Sequence, residues 1–192
     1  PSQPDPFRRY KDAELVSLDE VPPQSSPMLD DLQREGWTSP RPMDRATLSQ
    51  LLYDSLALSA WKEAGGTRWS LRVNPSSGNL HPTEGYVLCD AVTGVSDGPA
   101  LFHYAPYHHG LERRWQFTEA EWAGLIEGLP AQSILFGLTS IHWRESWKYG
   151  ERAYRYCQHD VGHAIAAVSL AAAVLGWQTR LVQSLSDQDL RL

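Results

Sequence analysis

The chain is 192 residues long, 42% hydrophobic and 21% charged, which allows one domain with a real core and excludes wholesale disorder. Seventeen Lys and Arg stand against 23 Asp and Glu, a net charge of −6, so no broad basic surface exists to coat duplex nucleic acid or an anionic membrane. Two cysteines, Cys89 and Cys157, make no disulfide framework, and no basic segment leads into an apolar stretch at the start, so the chain reads as cytoplasmic.

Residues 1–43 form a proline-rich segment holding eight of the thirteen prolines, each of which fixes φ and removes a donor. It reads as an extended arm wrapping a body or partner, or as a solvated tail. Phe7, Tyr10, Leu15, Val16, Leu18, Leu29, Leu32 and Trp37 favour the wrap. From Asp44 the pattern turns helical, with Leu48, Leu51, Leu52, Ser55, Leu56 and Ser59 on one face and Thr47 and Gln50 at capping-box spacing. Ala64-Gly65-Gly66 is expected to end that element. Arg68–Val73 alternates as a short strand, and Gly85–Val92 reads as a buried one. Ala100–Tyr104 and Arg113–Phe117 predict a hairpin across His108-His109-Gly110.

Thr118 and Glu121 open a further helix stopped near Gly128. Ile134–Trp143 is apolar and fits either a strand or a helix. Glu151–Leu175 predicts a long helix closed by Gly176, and Trp177–Gln183 a final strand. The longest uncharged run, Val161–Trp177, is shorter than the roughly 18 residues a membrane span needs and contains His163, so it predicts a core helix. Ser186 and Asp189 have N-cap spacing three residues before the sequence stops, which predicts a fragment, a processed chain or one half of a longer protein.

Two segments can carry chemistry. The first is Arg72-Val73-Asn74-Pro75-Ser76-Ser77-Gly78-Asn79-Leu80-His81-Pro82-Thr83-Glu84. Its small residues let a ligand approach the backbone. Pro82 and Glu84 suit a first helical turn whose amides could face an anion, and Arg72 offers a planar fork for phosphate. An ordinary Pro-Ser-Gly-Asn turn is the other reading. The second runs from Trp143 to Tyr156, where aromatics alternate with Arg144, Lys148, Arg152 and Arg155. That pattern suits stacking with charge neutralisation, on single-stranded nucleic acid or on a flavin, or it is a solvated helix start. Eight Trp and eight Tyr fit interfaces and flat ligands as well as cores. His159 and His163 share the spacing of the zinc-protease HExxH, but Asp160 replaces its Glu and no third ligand is evident, so a helix pair without metal is expected.

Together these segments resemble the FMN-dependent nitroreductase superfamily, in its SagB-type or thiazole/oxazole-oxidase-like branch. The resemblance rests on Arg72–Glu84 with the strand Tyr86–Leu88, then on Trp147-Lys148-Tyr149-Gly150-Glu151-Arg152 continuing to Tyr156, and on Asp160-Val161-Gly162-His163 running into an apolar helix closed by Leu175-Gly176-Trp177. It covers roughly residues 45–183. It implies an α+β fold: a mostly antiparallel sheet flanked by helices, with a long central helix that also serves dimerisation. Residues 44–192 would form an FMN-binding domain, truncated at its C-terminus. Arg72, Asn74, Pro75, Ser76, Ser77, Gly78 and Asn79 would contact the flavin and its phosphate, and Lys148 with Tyr149 would flank its reactive face. The activity implied is flavin-dependent oxidoreduction of a small-molecule or peptide substrate, by a homodimer or with a tandem partner domain. No nucleic-acid or membrane partner is expected. The superfamily's Arg-Arg-Ser phosphate motif is absent before the first helix, where Ser39-Pro40-Arg41 stands. That departure motivates a second expectation, a non-catalytic dimerisation or scaffold half of a tandem protein.

Overall fold

In the computed structural model, residues 2–20, 27–32, 34, 38–130 and 132–182 are described. Five strands build one antiparallel sheet in the order β1 (Leu15–Ser17), β6 (Gly110–Gln116), β5 (Ala100–Ala105), β4 (Thr83–Cys89) and β7 (Leu135–Ser140). The remaining strands, β2 (Leu58–Ala64) and β3 (Thr67–Arg72), pair only with each other. The helices are α1 (Leu29–Leu32), α2 (Arg45–Ser55), α3 (Glu119–Leu125), α4 (His142–Tyr149) and α5 (Ala153–Val174). The α+β architecture and long central helix are those expected.

Period-2 alternation sorts the side chains of β4 and β5 onto two faces. Val87, Cys89, Phe102 and Tyr104 join Leu48, Leu52 and Leu56 of the α2 segment and Ala164, Val168, Ala171 and Leu175 of the α5 segment in one buried cluster. The opposite face is polar. There Tyr86 lies opposite His103, and His103 opposite Glu112. Residues Phe7–Tyr10 cross this face: the Tyr10 hydroxyl meets that of Tyr86 at 2.8 Å, and the Tyr10 amide donates to the Glu112 carboxylate at 3.3 Å.

The local signals are partly reassigned. The capping box of α2 joins Asp44 to Thr47, not Thr47 to Gln50: the Thr47 amide donates to Asp44 Oδ1 at 2.9 Å and the Asp44 amide to Thr47 Oγ1 at 3.0 Å. Gln50 instead reaches Asp54 one turn on. The helix stops at Ser55, and Leu58–Ala64 is a strand rather than its continuation. Gly65 and Gly66, at φ +57° and +76°, form the two-residue connection that turns it onto β3. Leu135–Ser140 is a strand that leads into α4, and Gly150 (φ +56°) separates α4 from α5.

The α5 helix ends in a Schellman arrangement, with the Trp177 amide on the Ala172 carbonyl and the Gly176 amide on that of Ala173. Residues 177–182 carry no regular structure, contrary to the strand expected there. Trp177 is held by its indole N–H on the Arg41 carbonyl at 2.8 Å, so the chain is anchored without sheet pairing. The Ser186–Asp189 signal lies outside the described residues. Among the described residues, no helix is long and apolar enough to cross a membrane.

Candidate functional site

The loop between β3 and β4 bends back through three left-handed residues, Gly78 (φ +62°), Asn79 (φ +59°) and His81 (φ +49°). Two of these are not glycine, a conformation side chains resist unless neighbours hold it. Asn79 is fixed by its amide N–H on the Ser70 carbonyl at 2.7 Å, and its Oδ1 accepts from His81 Nε2 at 2.8 Å. The His81 amide donates to Ser76 Oγ at 2.8 Å. Burial, reinforced by the positive charge of Arg72, pulls the His81 imidazole down to about 3, so it is neutral at physiological pH.

The same loop is tied to α5. Ser76 Oγ donates to Asp160 at 2.8 Å, and Ser77 donates through both its amide (3.0 Å) and its hydroxyl (3.1 Å). This brings Gly78 to the end of α4. A Cβ at Gly78 would overlap the Tyr149 hydroxyl and lie 3.0 Å from Lys148 Nζ. Glycine is favoured here by its φ, and any larger residue would have to displace the ends of the Tyr149 and Lys148 side chains. Tyr149 is braced from the far side by Tyr156, ring centroids 4.4 Å apart. Lys148 occupies the last turn of α4, where its charge suits the exposed carbonyls.

Two of the residues expected to contact the flavin are buried in the protein. Arg72 is buried, and its guanidinium donates to the carbonyls of Pro6 (2.5 Å) and Thr83 (3.3 Å). Burial pulls it down to about 10 against the opposing pull of Glu84, so it remains cationic. Asn74 is buried as well, whereas Pro75 is exposed. Pro82 and Glu84 do not begin a helix: Pro82 directly precedes β4, and Glu84 lies within it. Strand pairing of Glu84 with Thr139 overrides the local N-terminal signal.

Glu84 is instead the hub of a buried charge network. Its Oε1 accepts from Arg144 Nη1 at 2.6 Å, and its Oε2 meets His103 Nε2 at 2.9 Å, while His103 Nδ1 meets Glu112 at 2.8 Å. Arg144 also donates to the His81 carbonyl at 2.6 Å, so the network reaches the loop. Burial alone would raise the Glu84 carboxyl, but the His103 hydrogen bond and the charges of Arg72 and Arg144 outweigh it and hold the group below its ordinary range.

Glu145 is the opposite case. It is 0% exposed, and neither carboxylate oxygen has a hydrogen-bond partner among the described residues. Burial, then the charge of Asp160, pushes it up to about 7 against the attraction of Lys148. Cys157, on the helix packed against it, is itself pushed up to about 11, first by burial and then by these two carboxylates. The folded protein thus holds a proton on Glu145 more tightly than the unfolded chain. Stability is lost as pH rises from the unfolded value toward 7. Glu145→Gln removes that loss: its melting temperature is expected to exceed that of the unsubstituted protein by about 2–6 °C at pH 8 and to match it near pH 5. An equal difference at both pH values would show that titration of Glu145 is not its cause.

Three further orphan atoms at the loop bear on whether a flavin fits. Asn74 Oδ1, His81 Nδ1 and Thr83 Oγ1 are buried in and beside the loop with no hydrogen-bond partner among the described residues. Such atoms, with the glycine backbone, Lys148 and Tyr149, suit the polar edge and flat face of a ring. They do not suit a phosphate: Arg72 is engaged internally, and the Ser76 and Ser77 donors already serve a carboxylate. His159 and His163 are exposed on α5, and no group of three or more side chains able to hold a metal occurs among the described residues.

The sequence gives no sign of the buried contacts of Asp160, Arg144, Glu145, His103 and Glu112, although Arg144 and Asp160 lie in segments it singles out. For the burial of Asp160 itself a signal existed: it lies on the stripe Ala153, Cys157, Asp160, Ala164, Val168, Ala171 and Leu175, a lone acid among core positions of a helix.

Comparison with known proteins places this geometry among relatives. The family model described as "Nitroreductase family" matches residues 38–191. The trifolitoxin-processing protein TfxB of Rhizobium leguminosarum bv. trifolii is 37% identical over 112 residues, covering 53% of this chain and 29% of TfxB. The putative nitroreductase MJ1384 of Methanocaldococcus jannaschii is 31% identical over 121 residues, covering 61% of this chain and 60% of that protein. This chain therefore spans less than two thirds of the length of either relative. Among solved structures, a putative nitroreductase from Anabaena variabilis superposes with TM-score 0.66 at 27% identity, over 88% of this chain and 33% of that one. A chain of the E. coli microcin synthetase McbBCD complex with truncated pro-MccB17 bound superposes at 0.61 with 17% identity, over 95% of this chain and 62% of that one, a likeness of fold.

Proposed function

The chain belongs to the nitroreductase family, and from that membership we propose that it is an FMN-dependent oxidoreductase of the SagB-type branch acting on a small-molecule or peptide substrate. The observation that carries the reading is the meeting of Gly78 with Lys148 and Tyr149, two motifs 70 residues apart in the sequence. A bound FMN would supply two-electron hydride chemistry that no side chain can. Lys148 would hold positive charge against the anionic character of the reduced ring. The Tyr149 hydroxyl would hold or release a proton at Oη. Gly78 and the orphan polar atoms of Asn74, His81 and Thr83 would line the ring, with Ser76, Ser77 and Asn79 shaping the wall. Arg72 would serve from behind, as a buried cation supporting the loop.

A peptide substrate is suggested by the relatives. TfxB is described as a trifolitoxin-processing protein, and the microcin synthetase structure carries a truncated pro-MccB17. Two free, buried cysteines accord with a reducing compartment such as the cytoplasm. The purified protein is expected to be yellow, with flavin absorbance bands, or to quench FMN fluorescence on titration. A colourless protein that leaves added FMN unaffected would overturn the assignment.

One observation favours a second reading, a non-catalytic dimerisation half. The outer face of α5 leaves Ile165 46% and Leu170 50% exposed beside Gly162 and Ala166, an apolar strip suited to a second copy or a tandem domain. A dimer that binds no FMN would establish this reading over the first.

A further inference from the structure

Asp160 stands on the buried α5 stripe, whose other positions are apolar, Ala164 and Ala171 among them. It is 1% exposed, and its two oxygens receive three donors from Ser76 and Ser77, more than 80 residues earlier in the chain. Those donors lie immediately before the left-handed run that starts at Gly78, so the carboxylate fixes the point from which the strained backbone departs. The Gly78 backbone in turn sits against Tyr149 and Lys148. A carboxylate that only accepts is matched to three convergent donors, and such charge-assisted bonds are short and directional.

We propose that Asp160 is a positioning residue of the redox site: it holds Ser76-Ser77-Gly78 in register with Lys148 and Tyr149, so that a flat cofactor meets a preformed wall. The proposal rests on the flavin reading above and adds to it the residue that orders the loop. Asp160 touches neither Lys148 nor Tyr149 through any hydrogen bond or ion pair among the described residues; its action passes through the loop backbone. Preorganisation of this kind raises affinity by removing the ordering that binding would otherwise require.

The test compares Asp160→Ala, Asp160→Asn and Ser77→Ala with the unsubstituted chain by hydrogen–deuterium exchange of residues 74–80, without flavin, and by FMN titration. Exchange is expected to accelerate roughly tenfold or more in Asp160→Ala and less in Asp160→Asn, whose amide oxygen still accepts. FMN affinity should fall in the same order. His163→Ala, on the exposed face of the same helix, should change neither. If Asp160→Ala does not fold, Asp160→Asn and Ser77→Ala carry the comparison. Unchanged exchange in all foldable variants would overturn the proposal, as would faster exchange with undiminished FMN affinity. An unsubstituted chain that binds no FMN would instead remove the flavin reading, while the exchange measurement still decides whether Asp160 orders the loop.

Discussion

Glu84→Gln is expected to destabilise the protein by about 3–5 kcal/mol, a large part of the roughly 5–15 kcal/mol typical of a domain. The substitution keeps the shape of the side chain and removes its charge, leaving Arg144, Arg72 and His103 around a neutral amide in a buried site. It is the stranded guanidinium groups, more than the lost pairs, that make the change costly, because they are not rehydrated. The measurement is the urea midpoint at constant m-value. The pH dependence has a definite sign. A depressed carboxyl contributes stability that is present above its unfolded value and lost as pH falls through its folded one. The unsubstituted protein should therefore lose stability in acid from about the ordinary value of 4.5 downward, and Glu84→Gln should show a shallower slope there. A change below about 1 kcal/mol would mean that the network is hydrated and contributes little. Adding Arg144→Met to Glu84→Gln should cost less than the sum of the single changes, since the second substitution removes the stranded guanidinium.

Combining Lys148→Ala with Tyr149→Phe should slow reoxidation of the photoreduced, FMN-loaded protein by a nitroaromatic acceptor roughly 10²–10⁴-fold, the range removed with a positioned proton-transfer group. Binding of FMN should change far less, because the Gly78 wall and its ties to Asp160 and Ser70 remain. The phenylalanine preserves the ring that packs on Tyr156 while deleting the hydroxyl. The two single variants are expected to be non-additive, each disabling part of one arrangement. A double variant that reoxidises at the unsubstituted rate would show that the pair does no chemistry, whatever it contributes to binding.

Local signals in the sequence located much of this fold. The leucines at helical spacing after Asp44, the Thr118–Glu121 capping box, the hairpin around His109-Gly110 and the Gly176 stop are short-range features, and each appears where its spacing puts it. In two places one residue pattern fits two structures. Leu58–Ala64 continues the leucine-rich face of α2, but two glycines able to take positive φ fold it onto β3 instead. Pro82 and Glu84 look like a helix start, yet β4 has neighbours on both sides, and the ladder to β7 decides the conformation.

The candidate site divides in the same way. Asn74–Asn79 and Lys148-Tyr149 stand out through the family resemblance; by residue type alone they also fit an ordinary turn and a solvated helix start. That they meet is a matter of distance in space, as is the inward turn of Arg72 toward Pro6, a contact made only because the N-terminal segment crosses the polar face of the sheet. By itself, then, the amino-acid order located most of the elements and their apolar faces, and it singled out the two segments on which the proposed site rests. The tertiary structure alone decided which carboxylates are paired, which is left to hold its own proton, and which one ties the loop to α5. The physical reason is that hydrophobic periodicity repeats within one element, whereas the Glu84–Arg144 ion pair and the Asp160 clamp join groups 60 or more residues apart that only the assembled fold brings to about 3 Å.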